Sequence, residues 1–161
     1  MQGAPQSERA ALAAVAAQFW VNGMIYAAII PRLPDIRDRL SLEISTLGLI
    51  LTLSAVGGLV GSGLGGPAIA RFGTKRCIVV GSVIAIGVLP IVGLAPSVAV
   101  LVLSLGVLAM ADVVVDIAMN MQGSWLSARR TVPVMNRLHG LWSLGTVVGC
   151  LLYTSPSPRD S

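Results

Sequence analysis

Charge is scarce in this chain. Asp, Glu, Lys and Arg make up 11% of its 161 residues, where a water-soluble domain carries about 25%. Hydrophobic residues make up 55% and the mean hydropathy is +0.83. No fold in water could hide that much apolar surface, so soluble globular classes are excluded and a polytopic membrane protein remains. Cysteine is nearly absent. Cys77 and Cys150 stand alone at the edges of apolar runs. They give neither metal spacing nor a disulfide framework and read as small packing residues. His139 is the only histidine, so the chain cannot build a His-rich metal site. No nucleophile–base pair, metal cluster or phosphate loop suggests an enzyme, and no cofactor is expected. Gly61, Gly63 and Gly66 spell GxGxxG, but a dinucleotide site needs a preceding strand and a βαβ unit, which are missing. No basic–aromatic pattern suggests nucleic acid.

What the chain does have is long apolar runs. A membrane span needs about 20 such residues. Runs at about 11–31, 44–70, 77–95 and 98–126 meet this requirement. A fifth, about 138–152, is cut short where the chain turns to YTSPSPRDS. The expected fold is therefore an all-α membrane protein with four full transmembrane helices and a truncated fifth. Residues 1–10 read as a polar tail. A cleaved signal peptide would have a shorter apolar region, about 7–15 residues, so the first run reads as a membrane helix. Pro90 inside the third run marks a kink of the kind neighbouring helices tolerate. Gly57, Gly61 and Gly65, and again Gly145 and Gly149, repeat every four residues, the small-xxx-small pattern of closely packed membrane helices.

The basic residues set the orientation. Seven (Arg9, Arg71, Lys75, Arg76, Arg129, Arg130 and Arg137) fall in the N-terminal tail and in alternate loops, against three (Arg32, Arg37 and Arg39) on the other side. This predicts a cytoplasmic N-terminus in a multi-pass protein of the cell (plasma or inner) membrane, with the lipid bilayer as a partner. The tail at 150–161 has the polar, proline-rich composition of disorder. CLLYTSPSPRDS also resembles translated sequencing-adapter sequence, a natural tail being the alternative. On this reading the chain is an N-terminal fragment.

The chemistry concentrates on DVVVDIAMNMQG in the fourth run. Asp112, Asp116 and Asn120 are spaced i, i+4, i+8 and share one helical stripe. Carboxylates inside a membrane-length helix are costly and face a protein interior or a wet cavity. Burial disfavours their charged form, and a second acid one turn away adds to this, which suits a group that picks up and releases protons. The alternative is a structural ion pair or hydrogen bond. Gln18, Asn22 and Tyr26 form a second polar stripe in the first run, read as facing a cavity or a polar neighbour. Asn120 and Gln122 can serve substrate hydroxyls or a neighbouring helix. His139 reads as an interface cap beside Arg137 or as a gating or proton-relay group. Trp142 reads as an interface anchor or as a stacking surface.

Several stretches together resemble the major facilitator superfamily: WVNGMIYAAIIPRLPDIRDRL, GPAIARFGTKR, DIAMNMQG and LHGLWSLG. The resemblance covers about 11–149 and is greatest to the bacterial branch related to fucose-permease-type sugar carriers. It implies twelve helices in two halves with substrate between them, so this chain would need a missing C-terminal half. It also implies secondary active transport of a small solute, commonly with a proton; a sugar or sugar-like compound, a small organic acid and a drug all stand open as that solute, as do uptake and efflux. A non-transporting membrane interaction or sensor module is the alternative. In such carriers a helix-four acid followed by Asn lies beside the path, a pattern Asp116 and Asn120 match; Asp112 has no assigned counterpart. Trp142 would then stack on a sugar ring. The family's gating signature, G-x-x-x-D-R-x-G-R-[KR]-[KR], is matched by Gly66, Arg71, Gly73, Lys75 and Arg76. Ala70 stands where its latching Asp is expected, and Thr74 replaces its second Arg. Half a carrier is expected to leave the glycine faces unpaired and not to transport.

Overall fold

The computed structural model describes residues 6–153. Six α-helices and one 3-10 turn carry nearly all of them, and there is no strand among the described residues. The helices are α1 (Gln6–Ala27), α2 (Leu33–Arg39), α3 (Ile44–Phe72), α4 (Thr74–Gly93), α5 (Val98–Ala128) and α6 (Met135–Tyr153). Four segments are long and apolar enough to cross a membrane, those carrying α1, α3, α4 and α5. The 31 residues of α5 give it a length of about 46 Å, more than the ~30 Å hydrocarbon core. Large apolar side chains point outward throughout, among them Leu59, Val83 and Leu103. A lipid surround suits such a surface, and water does not.

The observed ends correct the sequence reading in three places. The N-terminal tail is helical from Gln6, with Glu8 in the first turn of α1. The stretch read as a loop after the first run folds instead into a 3-10 turn, Ile30–Arg32, followed by α2. Pro31 and Pro34 sit in their first turns, where a fixed φ and a missing N–H cost nothing. Ile36 anchors α2 in the interior, and Arg39 Nη2 donates to the Gly93 carbonyl at 2.8 Å. Finally, the expected loop at 71–76 shrinks to Gly73, which ends α3 and begins α4 with φ of +80°. Side chains rarely adopt that conformation, and glycine does so freely. Residues 154–161, the larger part of the segment read as non-native, lie outside the described residues, while 150–153 complete α6.

Helix α5 is the centre of the bundle. It packs closely on α3 and α4 and touches α1 and α6, while α1 pairs with α6. Ser97 caps its start by accepting from the Val100 N–H. The glycine repeats make the two close pairings. A methyl group on Gly57 would collide with the Gly106 carbonyl of α5, and one on Gly61 would lie 2.6 Å from the Met110 carbonyl. Likewise Gly145 and Gly149 of α6 meet the Trp20 and Met24 backbone of α1. The expectation that these faces stand unpaired is therefore wrong: each finds its partner within this chain.

The core is layered along the bundle. At the end carrying the α3–α4 turn, Phe19, Cys77, Ile78, Met119 and Leu138 pack together. At the α2 end, Ile36, Ile50, Val92 and Leu101 do so. Ile25, Ala85 and Ala111 bridge the middle.

Candidate functional site

Asp112 lies midway along α5 and is half-buried. The buried Asn22 of α1 donates a side-chain hydrogen bond to its carboxylate. The other side of Asp112 lines a cavity of about 570 Å³ between α1, α3 and α5. Tyr26, Leu33, Leu51, Ser54 and Leu105 also line it, and Asp112 is its sole carboxylate, with no Lys, Arg or His in the lining. The cavity belongs to the α2 half of the bundle.

Asp116, one turn further along α5, is exposed. Asn120 Nδ2 donates to its Oδ1 at 3.0 Å and to its backbone carbonyl at 2.9 Å. His139 of α6 is its electrostatic neighbour. The His139 ring meets Phe19 edge to face at 5.3 Å, which ties the imidazole to the α1–α6 pair. Trp142, nearly one turn on, lies 6.4 Å from the Tyr26 ring. Asp116, Asn120, His139, Tyr26 and Trp142 thus line an open side of the bundle, with Asp112 set deeper behind them.

Gln18 and Gln122 are engaged elsewhere. Gln18 Nε2 donates to Ser82 Oγ of α4 at 3.0 Å, and Gln122 Nε2 to Thr74 Oγ1 at the start of α4 at 2.9 Å. Residues spaced by four drift by 40° per step on a 3.6-residue helix, so the α1 stripe fans over about 80° from Gln18 to Tyr26. Gln18 accordingly meets α4, Asn22 meets α5, and Tyr26 reaches the cavity. Gln122 is two residues past Asn120, about 160° around the helix. That offset could have been read from the sequence.

At the turn end, Arg71 stacks over Phe72 at 5.6 Å, Lys75 and Arg76 are exposed, and Gly66 faces open space. Sequence reasoning missed one ion pair there: Arg130 Nε lies 3.2 Å from Glu8 Oε1, joining the α5–α6 loop to the start of α1. An acid in a first helical turn facing a basic loop was its only signal. The thioether and thiol core contacts are ordinary packing, and Cys77 is buried among them.

A bundle of membrane-length helices with carboxylates at mid-span, one lining a cavity, defines a polytopic membrane protein built around an intramembrane polar site. The chain belongs to the Major Facilitator Superfamily, whose family model matches residues 15–154. It is 29% identical over 131 residues to an uncharacterised MFS-type transporter of Yersinia pestis, covering 81% of this chain and 34% of that protein. It is 28% identical over 142 residues to the membrane protein MosC of Rhizobium meliloti, covering 88% of this chain and 35% of that one. A third relative, an uncharacterised transporter of Sinorhizobium fredii, is 28% identical over 138 residues, 84% of this chain and 36% of its own length. The chain therefore spans about a third of the length of the curated relatives it matches. No solved structure matches it.

Proposed function

We propose that this chain forms part of the first half of a secondary active transporter that moves a small polar solute, a sugar or sugar-like compound, together with a proton. The observation that carries this reading is Asp112, a carboxylate midway along a membrane-length helix, held by Asn22 and lining a cavity of about 570 Å³. An acid at that depth is costly, and a scaffold or sensor module has no need of one beside a cavity. Asp116 is the coupling acid in this proposal. It stands on the open side of the bundle, with Asn120 as a donor and His139 as a neighbour able to relay its proton. Asn120 serves substrate hydroxyls, and Tyr26 and Trp142 offer ring faces at the edge of the same opening. Asn22 joins α1 to α5 through Asp112, so a change at the carboxylate is felt by both helices.

The relatives' greater length supports a second half, which would close the path against this open side. Within the superfamily we assign the chain to the fucose-permease-like branch, in the inner (plasma) membrane with its N-terminus in the cytoplasm. Gly66, Arg71, Gly73, Lys75 and Arg76 are then the cytoplasmic gating turn. The test is a solute panel in vesicles, with and without an imposed pH gradient, comparing the 161-residue chain with a transporter completed by a second half. Concentrative uptake should require both the second half and the gradient. Robust uptake by the short chain alone would contradict the half-carrier reading. Uptake indifferent to the gradient would remove the proton.

A further inference from the structure

The back of α5 carries a second cavity. Met110 and Val114 flank Asp112 by two residues on either side, so they lie about 160° around the helix from it. With Leu64 and Ala68 of α3 and Val80 and Ile84 of α4 they line an open groove of about 440 Å³. Every lining residue is apolar except Arg76, which stands at the end where α3 turns into α4. Lys75 and Arg76 occupy the first turn of α4, which holds no acid. A helix start is already positive and favours anions over cations. Arg71 adds a third charge in the last turn of α3. Among the described residues the ion pairs are Arg37–Asp38 and Arg130–Glu8, so no carboxylate pairs with Arg71, Lys75 or Arg76.

We propose that this groove is a binding site for one anionic phospholipid. An acyl chain lies between α3 and α4 along α5, and the phosphate sits on Arg76, Lys75 and the first-turn N–H groups of α4. Basic pockets between membrane helices at the headgroup level bind such lipids. Charge complementarity separates this occupant from a second copy of the chain. A copy would have to bring a carboxylate to the turn end, but among the described residues Asp35, Asp38 and Glu43 sit at the α2 end, Glu8 is already paired with Arg130, and Asp112 and Asp116 face the other way. The site rests on the membrane assignment alone and is independent of the transport proposal.

The test is native mass spectrometry of the purified 161-residue chain titrated with phosphatidylglycerol or phosphatidylcholine. One phosphatidylglycerol should be retained with a preference of about fivefold per basic contact. Arg76→Gln should lower that preference by about fivefold, the share of one basic contact. Arg129→Gln, which removes an exposed charge on the α5–α6 loop, should leave it intact. Val80→Trp fills the groove from an exposed position and should remove the retained lipid, with helicity checked by circular dichroism. Equal retention of the two lipids, equal loss in Arg129→Gln, retention in a folded Val80→Trp variant, or a dimer that excludes lipid would each overturn the proposal.

Discussion

Asn22 and Asp112 are the pair on which the polar interior turns. An Asn buried in a membrane bundle needs a partner, since an unmet donor costs about 1–3 kcal/mol. The Asp112 carboxylate supplies it across α1 and α5. Interhelical hydrogen bonds in membranes are worth about 0.6 kcal/mol on average and up to about 1.7. A double-mutant cycle on Asn22→Ala and Asp112→Ala, read by unfolding in mixed micelles, should give a coupling in that range. A coupling of zero would break the assigned contact. The spacing of polar residues was legible at this scale, but the division of labour was not. Counting by four puts Gln18, Asn22 and Tyr26 on one stripe. The 40° drift per step then hands them to three different surroundings, and which helix waits at each angle is a tertiary fact. Ser82 and Thr74 carried no mark in the sequence that they would receive Gln18 and Gln122.

The elements were better signalled where small residues repeat. Gly57 and Gly61 let α3 lie against the backbone of α5, and Gly145 and Gly149 let α6 lie against α1. Gly61→Ala should therefore destabilise the bundle by about 1–3 kcal/mol, the range for overpacking a tight contact. Gly63→Ala, where an added Cβ meets nothing within 4 Å, should be neutral or stabilising by up to about 1 kcal/mol because glycine weakens helices. Thermal unfolding of both variants checks this, and equal effects would contradict the assigned helix pairing. The repeats announced close packing without naming partners, which is why the glycine faces were expected to await a second half. Helix α2 was missed for a different reason. Its seven residues are too few for a periodic pattern, and its prolines read as loop when they in fact open two short helices. Gly73 was singled out from the family signature; its positive φ shows the backbone reason for a glycine there.

At the scale of the whole molecule, composition alone conveyed the class. Few charges, long apolar runs and outward-facing Leu, Val and Ile leave no environment but lipid. The orientation rests on the uneven basic residues and is open to direct labelling. In a variant lacking Cys77 and Cys150, Asp35→Cys should react with an impermeant maleimide added outside the cell and Thr74→Cys should not; the reverse would invert the topology. The path and substrate were not legible, since the open side bearing Asp116 and Trp142 becomes a path only against another surface. The account turns on Asp116 as the acid that cycles a proton. The most direct measurement compares uptake driven by a pH gradient with substrate counterflow in the same vesicles, using a completed transporter that carries Asp116→Asn. Counterflow needs no net proton movement, so the variant should lose concentrative uptake and keep exchange, while Asp112→Asn should have the milder effect. Undiminished pH-driven accumulation in Asp116→Asn would contradict the account, and loss confined to Asp112→Asn would move the role one turn along α5.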